Sequence, residues 1–169
     1  MEVVSLERTH LDEFFDVFSE LMHEGYDDFP TYLQNYFLEQ LYSKEALMEG
    51  QEKGSRVIYL GRIDGKIVGF IVGNRLFGGV GFISWLGVLE QYRGRRIGTV
   101  LLDEYEQYVV KYNGHMLTLN TFTERAHFYK HLGFEEIGLR RQGYFGLDAI
   151  LMDKRLTKFN KLSLGISSA

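Results

Sequence analysis

Residues 56–90, RVIYLGRIDGKIVGFIVGNRLFGGVGFISWLGVLE, restrict the fold more than any other stretch of the chain. Runs of β-branched residues are separated by Asp64-Gly65 and Gly78-Gly79, two-residue turn signals of the kind that close β-hairpins. The pattern predicts three antiparallel strands in a meander. Ten of the 19 glycines lie between Gly61 and Gly98, which suits tight turns and close backbone approach by another group.

The flanking segments alternate in period. VVSLE (3–7) reads as a short strand. Thr9 is placed to cap a helix whose apolar positions are Phe14, Phe15, Val17, Phe18, Leu21 and Met22. HEGYDDFPT (23–31) breaks that helix with Gly25 and the chain's single proline, Pro30. Helical spacing resumes over 31–49, with Ser43 as a cap inside it. A long helix is expected over 96–112, closed by Asn113-Gly114. A strand follows at 115–122, then a short helix over 123–134, capped by Thr123 and stopped at Gly133. Residues 135–156 read as two last strands joined by a glycine-rich turn. The order predicts one α/β domain over 1–156, a mixed sheet with helices on its faces, followed by a tail at 157–169.

Composition removes several functions. The 169 residues are 45% hydrophobic and 15% aromatic, enough for a sizeable core. A formal net charge of -4 argues against a nucleic-acid partner. With no cysteine, disulfides, thiolate metal sites and cysteine nucleophiles are excluded. No signal peptide and no apolar run of about 18 residues is seen, so a cytoplasmic protein with no membrane partner is expected. The charges are unevenly spread. Between Arg8 and Lys44 there is no Lys or Arg, but eight acids: Asp12, Glu13, Asp16, Glu20, Glu24, Asp27, Asp28 and Glu39. Such an interval is either a solvated helix face or a surface that attracts a cation.

QYRGRRIGTVLL (91–102) carries the clearest chemistry. Arg93, Arg95 and Arg96 crowd with Gly94 and Gly98 into a turn that runs into a helix. Free amides at a helix N-terminus point outward and the helix dipole adds positive character, so this is a ready phosphate site. Thr99 adds a hydroxyl. No Walker loop is present, and RGRRIG lacks the spacing and the βαβ context of a dinucleotide fingerprint.

WLGVLEQYRGRRIGTVLL resembles the acetyl-CoA-binding motif of GNAT-type N-acetyltransferases, [QR]-x-x-G-x-[GA] at a helix start. Arg93 and Gly98 match it; Arg96 stands where the first glycine is usual. TERAHFYKHLGF is similar to the family's second motif through Ala126, Tyr129, Gly133 and Phe134, with Thr123 in place of the usual Asn. GLDAILMDKRL resembles its closing strand. The resemblance covers about residues 56–156 and implies a GNAT-like, mostly antiparallel sheet of about seven strands with about four helices.

The same resemblance implies the site. The amides of Gly94, Arg95, Arg96, Ile97, Gly98 and Thr99 would cradle the CoA pyrophosphate, with the arginines adding attraction. Leu86, Gly87 and Val88 would pair with the pantetheine arm, and Asn120 would offer its amide nearby. Tyr129 occupies the general-acid position and also lies against the cofactor; the Val88 amide is the oxyanion donor. The base is open among Glu24, Asp27, Asp28, His23 and Glu90. Glu24, Asp27, Asp28 and Tyr144 are the acceptor-side residues, which favours a cationic primary amine. His127 and His131 make only an i, i+4 pair, so no metal is expected. The implied activity is direct acetyl transfer from acetyl-CoA to an amine in a ternary complex, with homodimer formation open. The alternative is a noncatalytic acetyl-CoA sensor, because GGVGFISW carries no acid. An ordinary right-handed φ is expected at Arg96, since arginine replaces glycine there.

Overall fold

The computed structural model of the chain describes residues 1–25 and 29–159. Seven strands form a sheet in the order β1-β2-β3-β4-β5-β7-β6. They are β1 (Glu2–Ser5), β2 (Arg56–Ile63), β3 (Lys66–Asn74), β4 (Val80–Val88), β5 (Met116–Thr121), β6 (Glu135–Tyr144) and β7 (Leu147–Arg155). The helices are α1 (Leu11–Gly25), α2 (Thr31–Tyr36), α3 (Lys44–Glu52), α4 (Ile97–Lys111) and α5 (Thr123–His131). The meander is present as the turn residues require. Asp64 and Gly65 have φ of 49° and 79°, and Gly78 and Gly79 have 62° and 78°, the left-handed pairs that match strand twist in a two-residue turn. β4 and β5 pair in parallel, whereas β1–β2, β5–β7 and β6–β7 are antiparallel.

Two compact units divide the chain. The first comprises Met1–Gly73 and Trp85–Tyr105. Its core is aromatic because α1 brings Phe14 and Phe18 down on one side at helical spacing, and both are almost wholly buried. Trp85 is ringed edge-on by Phe18 at 5.5 Å, Phe37 at 5.4 Å and Tyr42 at 5.6 Å, the geometry that opposes ring quadrupoles favourably. Tyr105 of α4 is fully buried over Gly73, where an added Cβ would sit 2.1 Å from its ring. Arg56 clasps the α2–α3 region: its guanidinium donates to Leu41 O at 2.8 Å and lies 4.7 Å from the Tyr42 ring centre. Burial lowers its pKa from the ordinary arginine value.

Two helix starts differ from the sequence expectation. Thr9 lies inside a short 3-10 turn, Arg8–His10, and the Glu7 amide is met by His10 Nδ1 at 3.3 Å instead. Thr123 is the first residue of α5, and Phe122 takes the capping position with no side-chain cap. Ser43 behaves as expected: its Oγ accepts from the Ala46 amide at 3.3 Å at the start of α3. The helical region before it is split, because α2 widens into a π-turn over Phe37–Leu41.

The second unit comprises Asn74–Ser84 and the chain from Glu106 onward. β5 alternates strictly, burying Leu117, Leu119 and Thr121 and leaving Thr118 and Asn120 half-buried. β6, the edge strand, is exposed along almost its whole length. A half-buried pair ties α4 to β7: Lys154 Nζ meets Glu106 Oε1 at 2.6 Å.

Candidate acetyl-CoA site

The turn between β4 and α4 gathers backbone donors and arginines at a helix start. Glu90–Tyr92 form a short 3-10 turn, and Gly94 then takes φ 75° with nothing within 4 Å of the point where a Cβ would stand. Arg96 also lies in the left-handed region, at φ 61°. This overturns the right-handed conformation expected there. The turn keeps the backbone that a glycine would adopt, and arginine bears a strain of about 1–2 kcal/mol to follow it. The Arg96 carbonyl accepts the first helical bond, from the Val100 amide at 3.1 Å. Among the described residues, the backbone amides of 94–99 donate to no acceptor within the chain. Six consecutive free amides at the start of a 15-residue helix give a concentrated anion-binding surface.

The arginines are divided in role. Arg93 folds back, its Nε donating to Val88 O at 3.1 Å, and so links the turn to the end of β4. Arg95 lies 5.4 Å from the Tyr92 ring centre. Arg96 is exposed and takes part in no ion pair with a described residue. Ile97 and Gly98 are buried and anchor the helix start, with Thr99 half-buried beside them. Leu86, Gly87 and Val88, half-buried at the end of β4, precede this turn directly. The β4–β5 ladder ends at Ile83–Leu119, so β4 runs on to Val88 without a β5 partner. An added Cβ on Gly87 would stand 2.8 Å from the tip of the Leu21 side chain on α1, which would have to give way.

In the second unit, Asn120 is the first β5 residue beyond the β4 ladder. Its Oδ1 accepts from Arg140 Nη1 at 3.2 Å. Arg140 was missed by sequence reasoning, because β6 shows no motif and the pairing crosses β7. Tyr129 is half-buried on α5, edge-on to Phe134 at 5.6 Å. Ala126 is buried and stands three residues before Tyr129. Tyr144 closes β6, 6.3 Å from Phe122. His127 and His131 touch at 4.1 Å between ring centres on the exposed side of α5. Among the described residues no group of three or more His, Asp or Glu is placed to hold a metal ion.

The acidic interval is partly used up in structure. Asp12 pairs with Lys44 at 2.6 Å, and Glu13 Oε1 accepts from the Ile67 amide at 2.8 Å. The bond to Asp12 raises the Lys44 pKa above its ordinary 10.5, with Asp16 and Glu45 adding to it. Asp16 and Glu20 remain exposed on α1. Asp27 and Asp28 lie outside the described residues, as does the side chain of Glu24. His23 is exposed, its Nδ1 2.7 Å from Ser19 O. Glu90 is exposed at the 3-10 turn.

These features are those of an α/β protein with backbone donors and arginines gathered at a helix start, and comparison places the chain. Residues 12–134 match the Acetyltransferase (GNAT) family, and the protein belongs to that family. It is 36% identical over 102 residues to an uncharacterized N-acetyltransferase of Methanocaldococcus jannaschii; the match covers 57% of this chain and 65% of the relative. The PaiA N-acetyltransferase of Thermoplasma acidophilum, solved with coenzyme A, shares the fold at a TM-score of 0.74 and 19% identity, over 92% of this chain and 98% of that one. The ribosomal-protein-S18-alanine N-acetyltransferase of Escherichia coli does so at 0.71 and 20%, over 95% and 96%. No described helix is long and apolar enough to cross a membrane.

Proposed function

We propose that the protein is an acetyl-CoA-dependent N-acetyltransferase that moves the acetyl group directly to a primary amine within a ternary complex. The observation that carries this reading is the run of six acceptor-free amides at 94–99 with three arginines around it. A pyrophosphate fits such a surface, because each oxygen can meet an amide and its charge is opposed by the helix dipole. Leu86, Gly87 and Val88 offer strand backbone to the pantetheine amides.

The chemistry follows from the thioester. An ammonium has no lone pair, and a free alkylamine has a pKa of about 10, so the acceptor must first give up a proton. Glu24, at the end of α1, with Asp27 and Asp28 following it, supplies the acidic groups that attract a cationic amine and accept that proton. The neutral nitrogen attacks the thioester carbonyl carbon and forms the C–N bond. The Val88 amide donates to the oxygen as it becomes negative. Collapse of the tetrahedral species breaks the C–S bond; Tyr129 gives its phenolic proton to the departing thiolate and is reprotonated by the proton that the nitrogen sheds as the amide forms. Tyr144 packs beside the acceptor.

Thiol release from acetyl-CoA, followed with polyamines, amino acids and N-terminal peptides, tests the reading. Cationic acceptors are expected to be the best. Equal or faster turnover with neutral acceptors overturns the role given to the acidic surface; cofactor binding with no transfer to any amine supports a sensor instead. Tyr129→Phe is expected to lower kcat about 100-fold with cofactor affinity unchanged, the usual size of a lost general acid. An unchanged kcat removes Tyr129 from the mechanism.

A further inference from the structure

We propose that Arg140 is a positioning residue that turns Asn120 into a fixed hydrogen-bond donor for the carbonyl groups of the pantetheine arm. The inference rests on the acetyl-CoA reading above and adds to it a residue that no motif points to.

Donor chemistry sets the orientation of Asn120. A guanidinium donates and never accepts, so the bond from Arg140 Nη1 at 3.2 Å forces Asn120 to turn its Oδ1 toward the arginine. The Nδ2 group, with its two protons, is then held on the opposite side of the carboxamide. An unrestrained asparagine presents either end; this one presents a donor. Its place matters too. The parallel ladder ends at Ile83–Leu119, so Asn120 is the first β5 residue past the last backbone pair with β4.

Arg140 is also aimed by unusual backbone. On β7, Arg140 is opposite Ala149 and Asn120 is opposite Leu151, so the side chain spans β7 from one neighbouring strand to the other. The register of β6 shifts immediately afterwards, between Arg140 and Tyr144. Gln142 takes φ 50° and its amide donates to Asp148 Oδ1 at 2.7 Å. Gly143 then lies so close that an added Cβ would meet Arg140 Cβ at 2.5 Å and Nε at 3.3 Å. A bulge of this kind re-aims a side chain, and here the chain folds over the arginine it aims. Arg140 has no carboxylate partner among the described residues, so Asn120 is the group that fixes its direction.

Calorimetric titration of two ligands tests this. Coenzyme A contains the pantetheine arm, whereas adenosine 3′,5′-bisphosphate lacks it. Arg140→Met is expected to weaken coenzyme A about fivefold, the loss of one net hydrogen bond, and to leave the bisphosphate unchanged. Arg140→Lys, which keeps a donor, restores part of the loss. Asn120→Asp still accepts from Arg140 but lacks the donor, so it weakens coenzyme A as much, and adding Arg140→Met to it changes nothing more. Wild-type affinity in Arg140→Met, or equal loss for both ligands, overturns the proposal and leaves the acetyl-CoA reading standing. Failure of the unsubstituted protein to bind coenzyme A overturns both. Thermal unfolding of each variant separates a folding defect from a binding one.

Discussion

Two of the places where this protein holds non-glycine residues in left-handed backbone settle that strain differently. At the end of β6 and in the turn that joins it to β7, Gln142 and Phe145 have φ of 50° and 51°. That turn is closed on itself: Asp148 accepts the Gln142 amide at 2.7 Å, and Phe145 packs edge-on to Tyr144 at 5.0 Å. In the β4–α4 turn, Arg96 is equally strained, yet the amides around it have no acceptor among the described residues. A turn whose strained residue has its amide met inside the chain is a structural device. A turn that keeps strain and free donors together has donors left to offer to a group outside the chain. The difference therefore separates scaffold from site more sharply than sequence composition does, since both turns are glycine-rich.

Substitutions in the two turns should have opposite signatures. The largest effect is expected for Gly94→Pro, which removes a donor and cannot adopt φ 75°. Coenzyme A affinity should fall about 100-fold, as expected for a lost charge-assisted bond plus a displaced cradle. The melting temperature should fall only by the cost of refitting that backbone to proline, because nothing packs on Gly94. Undiminished affinity by calorimetry breaks the comparison. Next comes Asp148→Ala in the closed turn. It should cost about 1 kcal/mol of stability in denaturant unfolding, the worth of one hydrogen bond, with adenosine 3′,5′-bisphosphate affinity unchanged. Arg96→Gly should do the reverse: relief of left-handed strain, less the entropic cost of glycine, stabilises by about 0.5–1 kcal/mol. Affinity for coenzyme A should drop a few-fold as one cation leaves. A destabilised Arg96→Gly variant shows that the arginine holds the turn together by itself.

The smallest effect lies outside both turns. Lys44 has its pKa raised above 10.5 by the hydrogen bond to Asp12. Its contribution to stability is present below the unfolded lysine pKa and is lost as pH rises through the higher folded value. The pair is exposed, so the decline is shallow. Lys44→Met should flatten that alkaline limb of the pH–stability curve without touching ligand binding.

Much of the fold was legible. The Asp64-Gly65 and Gly78-Gly79 turns predicted the meander, and the long helix after residue 96 begins and ends within a residue of its expected bounds. The misses have local causes. Thr9 and Thr123 have side chains able to cap, but Thr9 lies inside the 3-10 turn and Thr123 is already the first residue of α5, one position past the cap. Arg96 was expected to be right-handed because arginine strongly prefers that region. The turn overrides the preference, since helix α4 and the anchored Ile97 and Gly98 dictate the path of the chain.

The amino-acid sequence by itself determined the order of elements, the glycine-marked turns and the cluster of cationic residues at a helix start. Those depend on short-range rules: period, turn chemistry and capping. The tertiary structure alone decided that the amides at 94–99 stay without acceptors, that β4 outruns its ladder with β5, and that Arg140 reaches Asn120 over an intervening strand. Each of these depends on which distant segments pair and in what register, and a one-residue shift in either ladder would erase it.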